Sequence, residues 1–117
     1  MATIHLSKSE FLKKVVNYEE NAQEWKFLGD KPAVVDFYAE WCGPCKRLLP
    51  VLESVSDEYA DQVDIYKINV DEEQELAEVF GVQTIPTLFF IPKEGNPQRA
   101  VGGMPKDALK NAIDSIL

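Results

Sequence analysis

One stretch limits the possible architectures more than any other. Ala33-Val34-Val35-Asp36-Phe37-Tyr38-Ala39 is almost continuously apolar and, after Glu40, runs straight into Trp41-Cys42-Gly43-Pro44-Cys45. A run of strand length that is apolar on both faces belongs in the middle of an α/β sheet, with helices covering each side. Beyond Cys45 the pattern changes period: Leu48, Leu49, Leu52, Val55 and Tyr59 recur at helical spacing. A central strand thus gives way to a helix at a pair of cysteines, and the other elements must be arranged around that junction.

Ser7-Lys8-Ser9-Glu10 has the Ser-x-x-Glu form of a capping box, and Phe11, Leu12, Val15 and Val16 follow it, which predicts a helix from about Lys8 to Asn17 after a short strand near Thr3–Leu6. Asn17–Lys31 is polar and poorly periodic apart from Trp25, Phe27 and Leu28, and reads as a long connection. Pro50 falls inside the helix that ends near Tyr59 and is expected to kink it. Val63–Val70 is a second buried strand. Asp71-Glu72-Glu73-Gln74 then opens a helix over Leu76, Val79 and Phe80, which Gly81 is placed to stop. Thr87–Ile91 and Gln98–Val101 read as strands joined through Pro92–Pro97, and Pro105–Leu117 as a last helix. The order β-α-β-α-β, then α-β-β-α, predicts an α/β fold: a three-layer α/β/α sandwich around a central mixed sheet. No linker or repeat interrupts it, so a single domain over residues 1–117 is expected.

Composition removes several function classes. The chain is 45% hydrophobic and 27% charged, which is globular rather than disordered. Its 20 acids outnumber 12 bases for a net charge of −8, and the densest basic cluster is Lys46-Arg47, so a nucleic acid is not an expected partner. No apolar stretch approaches the roughly 20 residues of a membrane span. The N-terminus lacks a signal-peptide layout and no Asn-x-Ser/Thr site occurs, so a cytoplasmic location is expected, or a periplasmic one if a signal segment has been removed. The glycines fit no G-x-G-x-x-G pattern, and no cofactor is expected.

Cys42 and Cys45 are the only cysteines, and three readings of them compete. A structural disulfide would close so small a loop that it removes only about 2 kcal/mol of chain entropy. A zinc half-site would need His5 and a carboxylate, or a second chain, to complete it. A reversible dithiol needs two neighbouring sulfurs, one of them activated as a thiolate. At the junction Cys42 falls near a helix N-cap, where free N–H groups and the dipole favour negative charge. Cys45 lies on the same helix face, and Pro44 sits in the first turn, where its missing N–H is harmless.

Val35-Asp36-Phe37-Tyr38-Ala39-Glu40-Trp41-Cys42-Gly43-Pro44-Cys45-Lys46 closely resembles the active-site segment of the thioredoxin family. Thr84-Ile85-Pro86-Thr87 resembles that family's second signature and Val101-Gly102-Gly103 its third, and the element order matches from about Thr3 to Leu117. Tyr38 departs from the pattern, standing where many relatives carry Trp, and the connection Asn17–Lys31 is longer than usual.

The resemblance implies a thiol–disulfide oxidoreductase that reduces protein disulfides, with Cys42 as the attacking thiolate and Cys45 as the resolving thiol. It also implies that Asp36 exchanges the proton of Cys45, that Lys67 approaches this acid, and that Trp41, Gly43 and Pro44 shape the reacting loop. Ile85-Pro86 is expected to be cis, and Ile85, Pro86, Val101, Gly102 and Gly103 to form a docking surface for an extended substrate segment. Taken alone, Val101 would read as core. The expected partners are disulfide-containing proteins and, as electron donor, a flavin-dependent thioredoxin reductase, with the chain acting as a monomer. Two rivals stay open: a carrier dedicated to one relay, and a binding subunit whose dithiol is incidental.

Overall fold

The structure is a computed structural model that describes residues 3–20 and 22–117. Met1 and Ala2, part of the N-terminal reading, and Asn21, part of the long connection, lie outside the described residues. The elements in order are β1 (Thr3–His5), α1 (Lys8–Lys14), β2 (Ala33–Tyr38), α2 (Gly43–Glu58), β3 (Asp64–Asn69), α3 (Gln74–Val79), β4 (Thr87–Ile91), β5 (Gln98–Val101) and α4 (Lys106–Asp114).

The strands lie side by side in the order β1-β3-β2-β4-β5. β3 is parallel to both β1 and β2, while β4 is antiparallel to β2 and to β5. The apolar run is therefore the middle strand of a mixed sheet. Its alternation sorts the layers: Ala33, Val35 and Phe37 pack with Phe11 of α1 and Leu76 of α3, whereas Val34 packs with Leu48, Leu52 and Val55 of α2 and Leu109 and Ile113 of α4. The two faces make the expected α/β/α sandwich. Asp36, two residues from Val34, belongs to the α2 face. In the register it stands opposite Lys67 on β3 and Leu88 on β4.

The capping box forms as the sequence predicts. The Glu10 N–H donates to Ser7 Oγ at 3.4 Å, and the Ser7 N–H donates to Glu10 Oε1 at 3.4 Å. β3 is one residue shorter at each end than Val63–Val70, and three helices differ in extent. α1 stops at Lys14 rather than Asn17, because the Leu28 N–H takes the Val15 carbonyl at 2.9 Å and draws the connection back onto the sheet. α3 starts at Gln74 rather than Asp71, because Asn69 Oδ1 captures the N–H groups of Asp71 (2.8 Å) and Glu72 (3.3 Å) in a turn. α4 spans Lys106–Asp114, with Pro105 as its N-cap. Helix α2 runs through Pro50, which is exposed, so water can serve the carbonyl its missing N–H leaves free.

Candidate active site

The site is built where β2 hands over to α2. Cys42 is the N-cap of α2, with extended backbone (φ −88°, ψ 113°), and Gly43 and Pro44 form the first turn. Pro44 needs no N–H partner there and presets the helical φ. The geometry then places Cys45 one turn on, and the two cysteines are joined as a disulfide with Cα atoms 5.3 Å apart. The Cys45 N–H donates to Cys42 Sγ at 3.2 Å. That N–H is one of the unpaired donors of the helix start, so the outer sulfur sits where negative charge is favoured. No group of three or more His, Cys, Asp or Glu side chains stands together as a metal site among the described residues.

Both cysteines are buried, Cys42 keeping 5% and Cys45 3% of its exposure. What surrounds them is open. Trp41 is 70% and Val101 59% exposed, and Gly43 and Pro44 are exposed beside them. Val101 is thus not core, contrary to what its residue type alone predicts: it ends the outermost strand, β5, where nothing is left to cover it.

The second and third sequence signatures converge on this spot. The Ile85-Pro86 peptide is cis, and the Ile85 carbonyl oxygen lies 3.8 Å from Cys42 Sγ. Gly102 adopts φ +94°, a conformation that favours glycine, and its N–H donates to the Pro86 carbonyl at 2.8 Å. Three segments far apart in sequence therefore meet beside Cys42.

Behind Cys45 the chemistry changes. Asp36 is 1% exposed, and its Oδ1 has no hydrogen-bond partner among the described residues. Burial pushes its carboxyl up from 3.8 to about 7, while the positive charge of Lys67 pulls the other way. Asp36, Cys45, Tyr38, Lys46 and Lys67 line one cleft of about 390 Å³. Acid and inner sulfur thus share a space that water can enter.

Two features escape the sequence pattern. The Trp41 indole Nε1–H donates to Asp71 Oδ2 at 2.8 Å, fixing the large ring beside the disulfide. The only sequence signal for Asp71 was its place among the acids before α3. Arg47, Leu48, Met104 and Pro105 join Pro44 and Gly103 along a groove of about 330 Å³ next to the reacting loop. In the sequence Arg47 stands out only as half of the basic pair Lys46-Arg47.

Comparison with known proteins agrees with this geometry. A family model described as Thioredoxin matches residues 3–115. The chain is 46% identical to the thioredoxin of Borreliella burgdorferi over 110 residues, covering 94% of this chain and 93% of that protein. It is 44% identical to the thioredoxin of Alicyclobacillus acidocaldarius over 90 residues, covering 76% and 85%. The crystal structure of chloroplastic thioredoxin z superposes with a TM-score of 0.80 at 28% identity, covering 99% of this chain and 95% of that one. A cysteine pair capping a helix, in a mixed sheet of this order, and relatives of this closeness lead to one conclusion: the chain belongs to the thioredoxin family and is a thiol–disulfide oxidoreductase.

Proposed function

We propose that the chain works chiefly as a protein-disulfide reductase, with different tasks for its two sulfurs. Cys42 thiolate attacks one sulfur of a substrate disulfide, the other substrate sulfur leaves as a thiolate, and a mixed disulfide joins substrate to Cys42. The Cys45 thiol then gives up its proton, attacks Cys42 Sγ and expels the second substrate thiolate. Two electrons have passed to the substrate, and Cys42–Cys45 is oxidised.

One observation carries the reading: the outer sulfur caps α2 and lies against the Ile85 carbonyl, whereas the inner sulfur shares a cleft with a buried acid. In this scheme Asp36 accepts the Cys45 proton through the cleft, its raised pKa suiting exchange near neutrality. Lys67 holds that pKa from climbing further. Trp41, Gly43, Pro44, Ile85, Pro86, Val101, Gly102 and Gly103 form the docking face, where the Ile85 backbone pairs with an extended substrate segment as an added strand. Disulfide-containing proteins are the substrates, and a flavin-dependent reductase returns the electrons. The chain acts as one monomeric domain, in the cytoplasm. No helix among the described residues is long and apolar enough to cross a membrane.

The test is a trap. A Cys45→Ser variant should accumulate covalent adducts with substrate proteins while Cys42→Ser does not; the reverse pattern overturns the roles. Equilibration against glutathione fixes the direction, since a couple more oxidising than about −200 mV would argue for an oxidase or isomerase. Asp36→Ala should slow resolution of the mixed disulfide, and kinetics unchanged across pH 6–9 would remove the acid from the scheme.

A further inference from the structure

The groove beside the reacting loop takes no part in the exchange between the two sulfurs. Pro44, Leu48, Gly103, Met104 and Pro105 give it apolar or small walls, and Arg47 is the only charged residue lining it. Through Pro44 and Gly103 it is continuous with the proposed docking face, so a segment bound across Cys42 has it alongside. A chain of net charge −8 thus sets a lone cation in a groove next to its reacting sulfur.

Arg47 is exposed and lies close to the loop. Its guanidinium Nη1 is 3.4 Å from where a side-chain carbon on Gly43 would stand. Gly43 follows Cys42 directly, and consecutive Cα atoms are about 3.8 Å apart, so the charge stands within about 9 Å of the Cys42 Cα. Lys106, which follows Pro105, is already paired with Glu58 and donates to Ser54 Oγ at 2.9 Å. Arg47 has no ion-pair or hydrogen-bond partner among the described residues. A free guanidinium presents a planar fork of donors that matches a carboxylate. An extended segment advances about 3.3 Å per residue, so a side chain two residues from the cysteine joined to Cys42 can span that distance. We infer that Arg47 selects substrate proteins with an acidic side chain two residues from the reacting cysteine. The carboxylate accepts from the guanidinium, and the methylene stem lies against Pro44 and Met104. The inference rests on the reductase reading, with Cys42 as the attacking sulfur; Arg47 acts on specificity and touches no reacting atom.

Single-turnover reduction of disulfide-linked peptide dimers by the reduced full-length chain, quenched in acid and separated by chromatography, tests it. Each peptide carries one cysteine, with Glu or Gln two residues before it or two residues after it. In one of the two placements the Glu peptide should react about threefold faster than its Gln counterpart, although the chain's net charge favours the reverse. Arg47→Gln should remove that preference and Arg47→Glu should invert it. Lys46→Gln, which alters the neighbouring cation in the Asp36 cleft, should keep it. The ratio is read within each variant, so a change in general thiol reactivity cancels. A preference that survives in Arg47→Gln, or that Lys46→Gln also removes, overturns the inference. If all peptides are reduced at equal rates, only the role of Arg47 falls; if none is reduced, the reductase reading falls with it.

Discussion

Replacing Asp36 by asparagine should make the protein more stable, by an amount that depends on pH. The side chain keeps its shape but can no longer ionise. In the folded chain the Asp36 carboxyl is pushed up to about 7 from its ordinary 3.8, because it is buried in the sheet and Lys67 compensates only in part. Each tenfold difference in proton affinity is about 1.36 kcal/mol, so the full difference is about 4 kcal/mol. Its sign is the reverse of a salt-bridged acid. Between about pH 4 and pH 7 the folded chain holds a proton that the unfolded chain has released, so stability falls as pH rises and levels off above about pH 7. Against a total stability of about 5–15 kcal/mol, that is a large share.

Urea unfolding with the disulfide intact, from pH 4 to pH 9, measures it. The two proteins should differ little at pH 4 beyond a constant offset. The gap should widen by up to about 4 kcal/mol by pH 8 in favour of Asp36→Asn. Profiles that run parallel over the whole range would refute the reasoning, because they would mean that Asp36 titrates alike in the folded and unfolded chains.

Three further outcomes follow from the geometry. Lys67→Met removes the charge that opposes the rise at Asp36, so carboxyl NMR titration should show Asp36 protonated to higher pH than in the unaltered chain. Gly102→Ala should cost about 1 kcal/mol in urea unfolding, since φ is +94° although nothing lies within 4 Å of the added carbon; Gly103→Ala, equally uncrowded and without a positive φ, should change stability by less than about 0.5 kcal/mol. Leu52→Ala, in the fully buried seam between α2 and the sheet, should cost about 3 kcal/mol by the same assay.

The architecture was legible because its signals are local. The apolar runs and breakers around Ala33–Tyr38, Val63–Val70 and Thr87–Ile91 mark strands without reference to the rest of the chain, and Ser7 with Glu10 announces a helix start. Boundaries set by single hydrogen bonds rather than by periodicity were not legible. Val15 and Val16 continue the helical pattern of α1, but the Val15 carbonyl is claimed by Leu28, and the acids before Gln74 are held out of α3 by one side chain of Asn69. At the site, the cysteine spacing could be read directly, but the role of Asp36 rested on the resemblance. The meeting of Ile85, Gly102 and Cys42 could be read only through resemblance. The Trp41–Asp71 bond joins residues 30 apart and depends on two loops arriving together, which no periodicity encodes.

The sheet terminates at both margins in very short strands, three residues in β1 and four in β5. Unpaired amides and carbonyls along a sheet margin invite another chain to stack against them, which is how soluble proteins begin to aggregate. Here the rows are too brief to reward such stacking, and β5 carries Gln98 and Arg99 outward. A net charge of −8 adds mutual repulsion between copies. On the proposed reading the chain presents bare backbone to other proteins, yet its sheet margins offer little to its own kind, and it should stay dispersed when concentrated.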